Sequence, residues 1–279
     1  MPDFWSHQYA ALEALNANNI LITDDARSLY LFGAQGPDFF YYINKMNPFT
    51  KKHYGSIGNL IHEKQITKQF ESMLHYLSAH PTPENIAYFA GYLSHYILDV
   101  HCHPLICKLG PDSDSHKRVE MALDALCFKQ IWHKALKDLD IHPFICNRIQ
   151  MSEHFTPFWI HHLDHCFEIN IDTESLAKAN KHMVFIQNLL LKNRIRKIPF
   201  VPMFSRLMHY DLSMLTYPDD IQPETYQFES FKTSYLSGIQ VIKEAFESLT
   251  QVLSETMTID DFIKNHIHND FLGENLNDQ

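Results

Sequence analysis

The sequence predicts an all-α protein folded as a single multi-helix domain. Apolar residues recur at helical spacing in one segment after another, and no two alternating runs are joined by a tight hairpin turn. Only 8 glycines stand against 20 phenylalanines and 13 tyrosines, which suits helices packed around an aromatic core. Hydrophobic residues make up 45% of the chain and charged residues 20%, enough for a sizeable core. No internal repeat or low-complexity linker divides the chain. The domain is therefore expected over 1–268, with a polar, acidic tail over 269–279 that frays.

Residues 5–19 read as a helix, with Ala10, Ala11, Leu12, Ala14 and Leu15 on one side, Asn18-Asn19 as its stop and His7 in its first turn. A second helix spans 23–33, with Thr23 or Asp24 as N-cap and Asp25 in its first turn. Gly36-Pro37 then breaks the chain, and Pro37 opens a new helix whose first turn holds Asp38, where the helix dipole favours a carboxylate. Asn47-Pro48 ends it. Ile57, Leu60, Ile61, Phe70, Leu74 and Leu77 mark a helix over 57–79, with His62 near its start. His80-Pro81-Thr82-Pro83 is a stop, and the next helix runs from 83 to 103, ending before Pro104. A polar turn at 108–114 leads into a helix reaching 138, with Ser113 or Ser115 as its cap. Further helices are expected near 143–152, 158–169, 174–193, 204–214 and 227–254, separated by Pro143, Pro157, Pro199, Pro202 and Pro218.

The helix over 83–103 carries the chemistry. His95, Asp99 and His103 are spaced i, i+4, i+8, so each stands about 40° from the last along one stripe. Tyr96, Ile97 and Leu98 between them argue for burial. A buried stripe of two imidazoles and a carboxylate is costly unless something pairs it. His116 and Glu120 repeat the i, i+4 relation on the following helix. Zinc takes about four N, O or S ligands, so these five residues read as metal ligands rather than as hydrogen-bonded core groups. Other histidines read differently. His161 and His165 are also i, i+4, but Glu153, Asp164 and Glu168 nearby suit an exposed polar face. His209-Tyr210-Asp211, followed by Tyr217-Pro218, reads as a helix-end turn.

The formal charge of −10 argues against a general nucleic-acid-binding surface. It leaves room for a phosphodiester substrate whose charge is balanced by metal ions. Cys102, Cys107, Cys127, Cys146 and Cys166 are odd in number and form no CxxC pair, which fits reduced thiols; Cys102 lies off the stripe and reads as a packing residue. The first residues show neither the basic nor the apolar region of a signal peptide, and no apolar run approaches the ~18 residues of a membrane span. A cytoplasmic protein is expected.

Gly91-Tyr92-Leu93-Ser94-His95-Tyr96-Ile97-Leu98-Asp99, the Pro-adjacent His103 and His116-x-x-x-Glu120 together resemble the zinc-dependent phospholipase C family, related to the single-strand-specific zinc nucleases. Gly36-Pro37-Asp38 and the His7 helix extend the resemblance, which covers residues 1–125. It implies an all-α fold and a cluster of up to three zinc ions in a cleft that hydrolyses phosphodiesters. By this resemblance Asp38, His95 and Asp99 are ligands of one Zn2+, completed by His62 or by His53. His62 is preferred because it sits on a helix beside Gly58, where a close packing contact could hold it. His103, His116 and Glu120 would hold a second Zn2+, although in secreted members the corresponding His follows a Pro by two residues and here His103 precedes Pro104. His7 resembles the family's N-terminal His ligand and Asp99 its bridging carboxylate. The family's third zinc is chelated by the amino group and carbonyl of an N-terminal Trp, whereas Trp5 is internal. A third ion would need substitute ligands, water or cleavage before Trp5, so two zinc ions are expected and a third is left open.

The implied activity is hydrolysis of a phospholipid or small phosphoester, with Asp38 as both ligand and general base. Phe39, Phe40, Tyr41 and Tyr42 are expected to line an apolar pocket in part and the core in part. Transient contact with a membrane surface is expected, and a stable nucleic-acid complex is not. A nuclease or nucleotidase using the same metals, and a metal-binding protein without catalysis, are the alternatives.

Overall fold

Thr82 accepts a hydrogen bond from Asn85 N at 3.2 Å and Pro83 takes the first helical position, so the longest helix starts on a satisfied cap. The computed structural model describes residues 3–17, 22–44, 54–135, 138–191, 217 and 221–276. Along the chain run α1 (Phe4–Ala17), a 3-10 turn (Asp24–Ala26), α2 (Arg27–Gly33), a second 3-10 turn (Gly36–Tyr41), α3 (Gly55–Glu63) and α4 (Ile66–Ala79). Then come α5 (Pro83–Leu109), α6 (Ser113–Gln130), a π-helical turn (Gln150–Phe155) leading into α7 (Thr156–Phe167), α8 (Thr173–Ala177) and α9 (Ala179–Leu191). α10 (Phe228–Leu253) and α11 (Ile259–His266) complete the order. Among the described residues there is no strand, only an isolated bridge between Asn269 and Asn275. The chain is all-α, as its periodicity predicts.

α5 lies at the centre, with its most extensive packing against α2 and α10. Phe89, Tyr92, Leu93, Tyr96 and Leu98 are buried along it, and Ile242, Phe246 and Leu249 supply the apolar face of α10. An aromatic layer of Phe32, Phe39, Phe155 and Trp159 closes the α7 side, where Trp159 Nε1 donates to Tyr88 Oη at 2.6 Å. Among the described residues no helix is long and apolar enough to cross a membrane. All five cysteines are free, and Cys102 is buried as a packing residue.

Several expected boundaries move, each for a local reason. The helix over 57–79 is two helices, broken at Gln65 with φ 54°. Gln69 Nε2 stabilises that break by donating to Ile61 O at 2.8 Å and Lys64 O at 2.7 Å. Pro37 opens a 3-10 turn rather than an α-helix, following Gly36 at φ 50°. α5 runs through Pro104 to Leu109, because Pro104 faces outward while Ile106, two residues on and on the opposite face, is fully buried. Asp112, not Ser113 or Ser115, caps α6, and Ser115 closes a capping box with it. α6 ends at Gln130 rather than 138, with His133 beyond it at φ 50°. Pro143 sits at the start of a 3-10 turn (His142–Phe144) rather than between helices, and Pro157 lies where the π-helical turn gives way to α7. The expected helix over 174–193 is divided at Lys178. α11 falls in no expected helix. The tail does not fray over its described part: Asp270 is 2% and Phe271 0% exposed. The expected helix at 204–214 and the His209-Tyr210-Asp211 turn lie outside the described residues.

One buried histidine makes the fold sensitive to acid. His162 on α7 donates from Nε2 to Gln69 Oε1 at 3.2 Å, and its Nδ1 faces Cys166 Sγ at 3.7 Å. Burial, with His161 and His165 nearby, pushes its pKa down to about 3. The unfolded chain therefore binds this proton first on acidification, and the stabilisation present above about pH 6.5 is lost as pH falls. Urea unfolding of wild type is expected to lose about 2 kcal/mol more than His162→Gln between pH 7 and pH 5. Equal slopes for the two proteins would show that His162 is not held neutral.

Candidate metal centre

His95, Asp99 and His103 fall one turn apart on α5 and are 0%, 0% and 2% exposed. Asp38 reaches this stripe from the turn Gly36–Tyr41. A Cβ on Gly36 would stand 2.1 Å from His95 Cδ2, so the imidazole lies against the turn only because residue 36 is glycine. His62 comes from α3, where Nδ1 donates to Gly58 O at 2.7 Å. That bond directs Nε2 to within 3.3 Å of Asp38 Oδ1 and 4.0 Å of Asp99 Oδ2. Gly58 permits the close contact with the Tyr41 ring, whose Cζ would be 2.9 Å from a Cβ there.

His7 enters from α1. Its ring stacks on His95 with centroids 4.0 Å apart, and its Nε2 stands 3.2 Å from Asp99 Oδ1. Asp124 holds the start of α1 by accepting from Trp5 N at 3.1 Å and Ser6 N at 3.0 Å. Burial and the charge of Asp3 push the Asp124 carboxyl well above its ordinary range. Beyond Asp99 lies a separate group. His116 Nε2 is 3.0 Å from Glu120 Oε1, the His103 and His116 rings are 5.5 Å apart, and Lys117 Nζ lies 3.0 Å from Asp3 Oδ1 and 3.3 Å from Glu120 Oε2.

Three sets of side chains could thus hold a metal ion: His7, His95 and Asp99; Asp38, His62 and His95; and His103, His116 and Glu120. Within each set the ligand-type atoms lie within 4.8 Å of one another. His95 is shared by the first two. Asp99 faces both ways, with Oδ1 toward His7 and Oδ2 3.2 Å from His95 Nε2. The outer contacts repeat a pattern: Nδ1 of His62, His95 and His103 donates to the carbonyls of Gly58, Ala34 and Phe271. A backbone carbonyl on Nδ1–H fixes the tautomer that leaves the Nε2 lone pair available for a metal.

The charges in the cluster divide unequally. Burial alone would raise the Asp99 carboxyl, but the facing His95, His103 and His7 hold it well below the usual carboxylate range. Two stacked imidazoles cannot both take a proton cheaply. Burial and His95 lower His7 to about 4, whereas the Asp99 charge overcomes burial and raises His95. His103 is lowered to about 3, chiefly by burial. His116 is raised to about 9 against burial by Cys107 and Glu120.

Both ring nitrogens of His7, Nε2 of His62 and of His95, Oδ1 of Asp38 and both oxygens of Asp99 are buried without a hydrogen-bond partner. The close His–Asp pairs among them are near but not aligned as hydrogen bonds. A buried polar atom left unpaired costs roughly 1–3 kcal/mol. A cation bound by nitrogen and carboxylate oxygen would satisfy them together, and zinc accepts that donor set.

A family model described as zinc dependent phospholipase C matches residues 4–163. The chain belongs to the zinc-dependent phospholipase C family. No curated protein and no solved structure matches it. The family match runs past residue 125, where the sequence resemblance was expected to end, and takes in α1 through most of α7.

In this member of the zinc-dependent phospholipase C family, all eight residues singled out from the sequence lie in these three sets. His53, the rival to His62, lies outside the described residues. The His7 set forms with Trp5 inside α1, its side chain 2% exposed and its amide taken up by Asp124. Phe39 and Phe40 belong wholly to the core, packing on Trp159 at 5.1 and 5.2 Å, while Tyr41 and Tyr42 are half-buried. His161 and His165 stack on each other at 5.8 Å and join no metal-holding set among the described residues. Sequence reasoning missed Phe271 altogether.

Proposed function

We propose that the protein is a zinc-dependent hydrolase of phosphodiester bonds, phospholipase C-like, whose substrate is a phospholipid or a small phosphoester. The observation that carries this reading is the convergence of buried, unpaired atoms from His7, Asp38, His62, His95 and Asp99 in a chain of this family. Asp38, His62, His95 and Asp99 would hold one zinc, and His103, His116 and Glu120 a second. His7, with His95 and Asp99, is the natural place for a third. Bound zinc supplies charge that polarises a phosphoryl oxygen and lowers the pKa of water.

The protein's own groups then divide the work. Asp38 Oδ1 faces His62 Nε2 at 3.3 Å, which leaves Oδ2 to accept a proton from the attacking water. Asp99, fully buried and held ionised, keeps the four imidazoles around it in register. The carbonyls of Ala34 and Gly58 stop His95 and His62 from turning. A formal charge of −10 disfavours an extended nucleic-acid backbone, so a compact phosphoester, met in solution or through transient contact with a lipid surface, suits this chain better.

Zinc per chain by elemental analysis, paired with a hydrolysis panel, tests this. The panel comprises phosphatidylcholine, other phospholipids, a generic phosphodiester, single-stranded DNA and 3′-nucleotides. Wild type is expected to carry zinc and to prefer the lipid or generic diesters. Asp38→Asn should lose about 10²–10⁴-fold in kcat, as removal of a general base does. Zinc without hydrolysis of any panel member would leave a metal-binding protein without catalysis, and a preference for nucleic acid would make it a nuclease.

A further inference from the structure

The segment after α11 is seated on the metal centre. The Phe271 ring lies 4.9 Å from that of His62, 6.0 Å from His95 and 5.0 Å from Tyr96, centroid to centroid. Its amide donates to His62 O at 3.3 Å, and its carbonyl accepts from His103 Nδ1. One residue therefore touches histidines of two different candidate sets. The segment is itself well tied. Asp270 Oδ1 accepts from Leu272 N and Glu274 N at 2.9 Å each, Asn269 Nδ2 donates to Gly273 O at 2.9 Å, and Tyr96 Oη donates to Asn269 O at 2.7 Å. Gly273, at φ +83°, rests on α5 where a Cβ would meet Pro104 Cγ at 2.7 Å and Val100 O at 2.9 Å.

We propose that Phe271 is a positioning residue of the metal centre. Its carbonyl fixes the His103 ring so that Nε2 is the ligating nitrogen, and its ring and amide hold His62 and His95. This rests on the reading of those histidines as zinc ligands. A ligating imidazole whose other N–H meets a carbonyl is locked in orientation and made more basic, and losing such a partner weakens metal binding about 10–100-fold. Residue 271 lies beyond the family match, which ends at 163, so this contact is supplied by a part of the chain that the match does not include.

The test uses the full-length protein. Gly273→Val combines a forbidden φ with contacts on Pro104 and the Val100 carbonyl, and so should lift the segment from α5. Phe271→Leu keeps the backbone and removes the ring. Zinc affinity is read by competition with a chelator, displacement by protease cleavage within 268–275, and fold by helical circular dichroism. In Gly273→Val one zinc per chain should bind 10–100-fold more weakly while helix content is retained; Phe271→Leu should show a smaller loss. Nitrogen NMR of the zinc-loaded wild type should show His103 protonated at Nδ1 and ligating through Nε2. Unchanged affinity with the segment displaced, or His103 ligating through Nδ1, would overturn the proposal. If Gly273→Val does not fold, Phe271→Leu and the wild-type spectrum decide. A wild type that binds no zinc would instead bring down the metal-centre reading itself.

Discussion

Asp99→Asn is expected to release zinc and to slow phosphodiester hydrolysis by about 10³-fold. The residue is fully buried, and four imidazoles surround its carboxylate: His7 and His95 at 3.2 Å, His103 at 3.9 Å and His62 at 4.0 Å. Asparagine has the same shape but no charge, and it turns an N–H toward ring nitrogens that need an acceptor or a cation. No other carboxylate in the three sets stands within 4.0 Å of four imidazoles. In zinc-free protein the low pKa of Asp99 means that its stabilisation is present above the unfolded carboxyl value and lost on acidification. Asn removes that contribution at neutral pH, and breaking a buried charge cluster of this kind costs about 3–5 kcal/mol. Elemental analysis, initial rates and chelator-treated urea melts measure the three effects. Asp38→Asn, which alters one candidate set while Asp99 faces two, is expected to keep more of its zinc than Asp99→Asn. Wild-type zinc content together with a wild-type rate in Asp99→Asn would remove Asp99 from the centre.

What the sequence made legible is what periodicity and caps encode. The i, i+4, i+8 run of His95, Asp99 and His103 survives into the structure because Thr82 and Pro83 start α5 cleanly and apolar residues bury it on every side. Gly36 before Asp38 and Gly58 before His62 carry a readable signal too, since each marks a ring pressed against backbone. Pro104 does not end α5, because the burial of Ile106 beyond it outweighs the missing N–H. Thr258, three residues before Asp261, is the cap of α11 and was readable, but eight residues give little periodicity. Phe271 could not be found this way. With only Leu272 beside it in a polar tail it shows no helical period, and its most important atom is a backbone oxygen, which every residue possesses. The carbonyls of Ala34 and Gly58 are silent in the sequence for the same reason. The stripe of His95, Asp99 and His103 and the His116–Glu120 pair were thus written in side-chain spacing, the joining of His7, Asp38 and His62 to them is implied by the family resemblance, and what orients them all depends on tertiary approach of the backbone.

Gly91→Ala is expected to cost about 3–4 kcal/mol and to lower Tm by roughly 10 °C. Gly91 on α5 and Gly33 on α2 face each other where the two helices cross. A Cβ on Gly91 would stand 2.1 Å from Tyr30 O, 2.7 Å from Ala34 N and 2.9 Å from Gly33 C. These are backbone atoms, so no side chain can swing aside and α2 must move bodily. That movement reaches the centre directly. Ala34, just past α2, holds His95 through its carbonyl, and Asp38 follows on the next turn. Zinc affinity should therefore fall along with Tm, and excess zinc should recover part of the lost stability by mass action. Gly55→Ala is the control, because its Cβ would meet Tyr41 Cδ1 at an ordinary 3.4 Å and should leave Tm nearly unchanged. Thermal melts of both variants, with zinc and with chelator, decide the matter. If Gly91→Ala melts with wild type, the backbones of α2 and α5 are not in contact at this crossing, and the helix that carries His95 is not held by α2 in the way described.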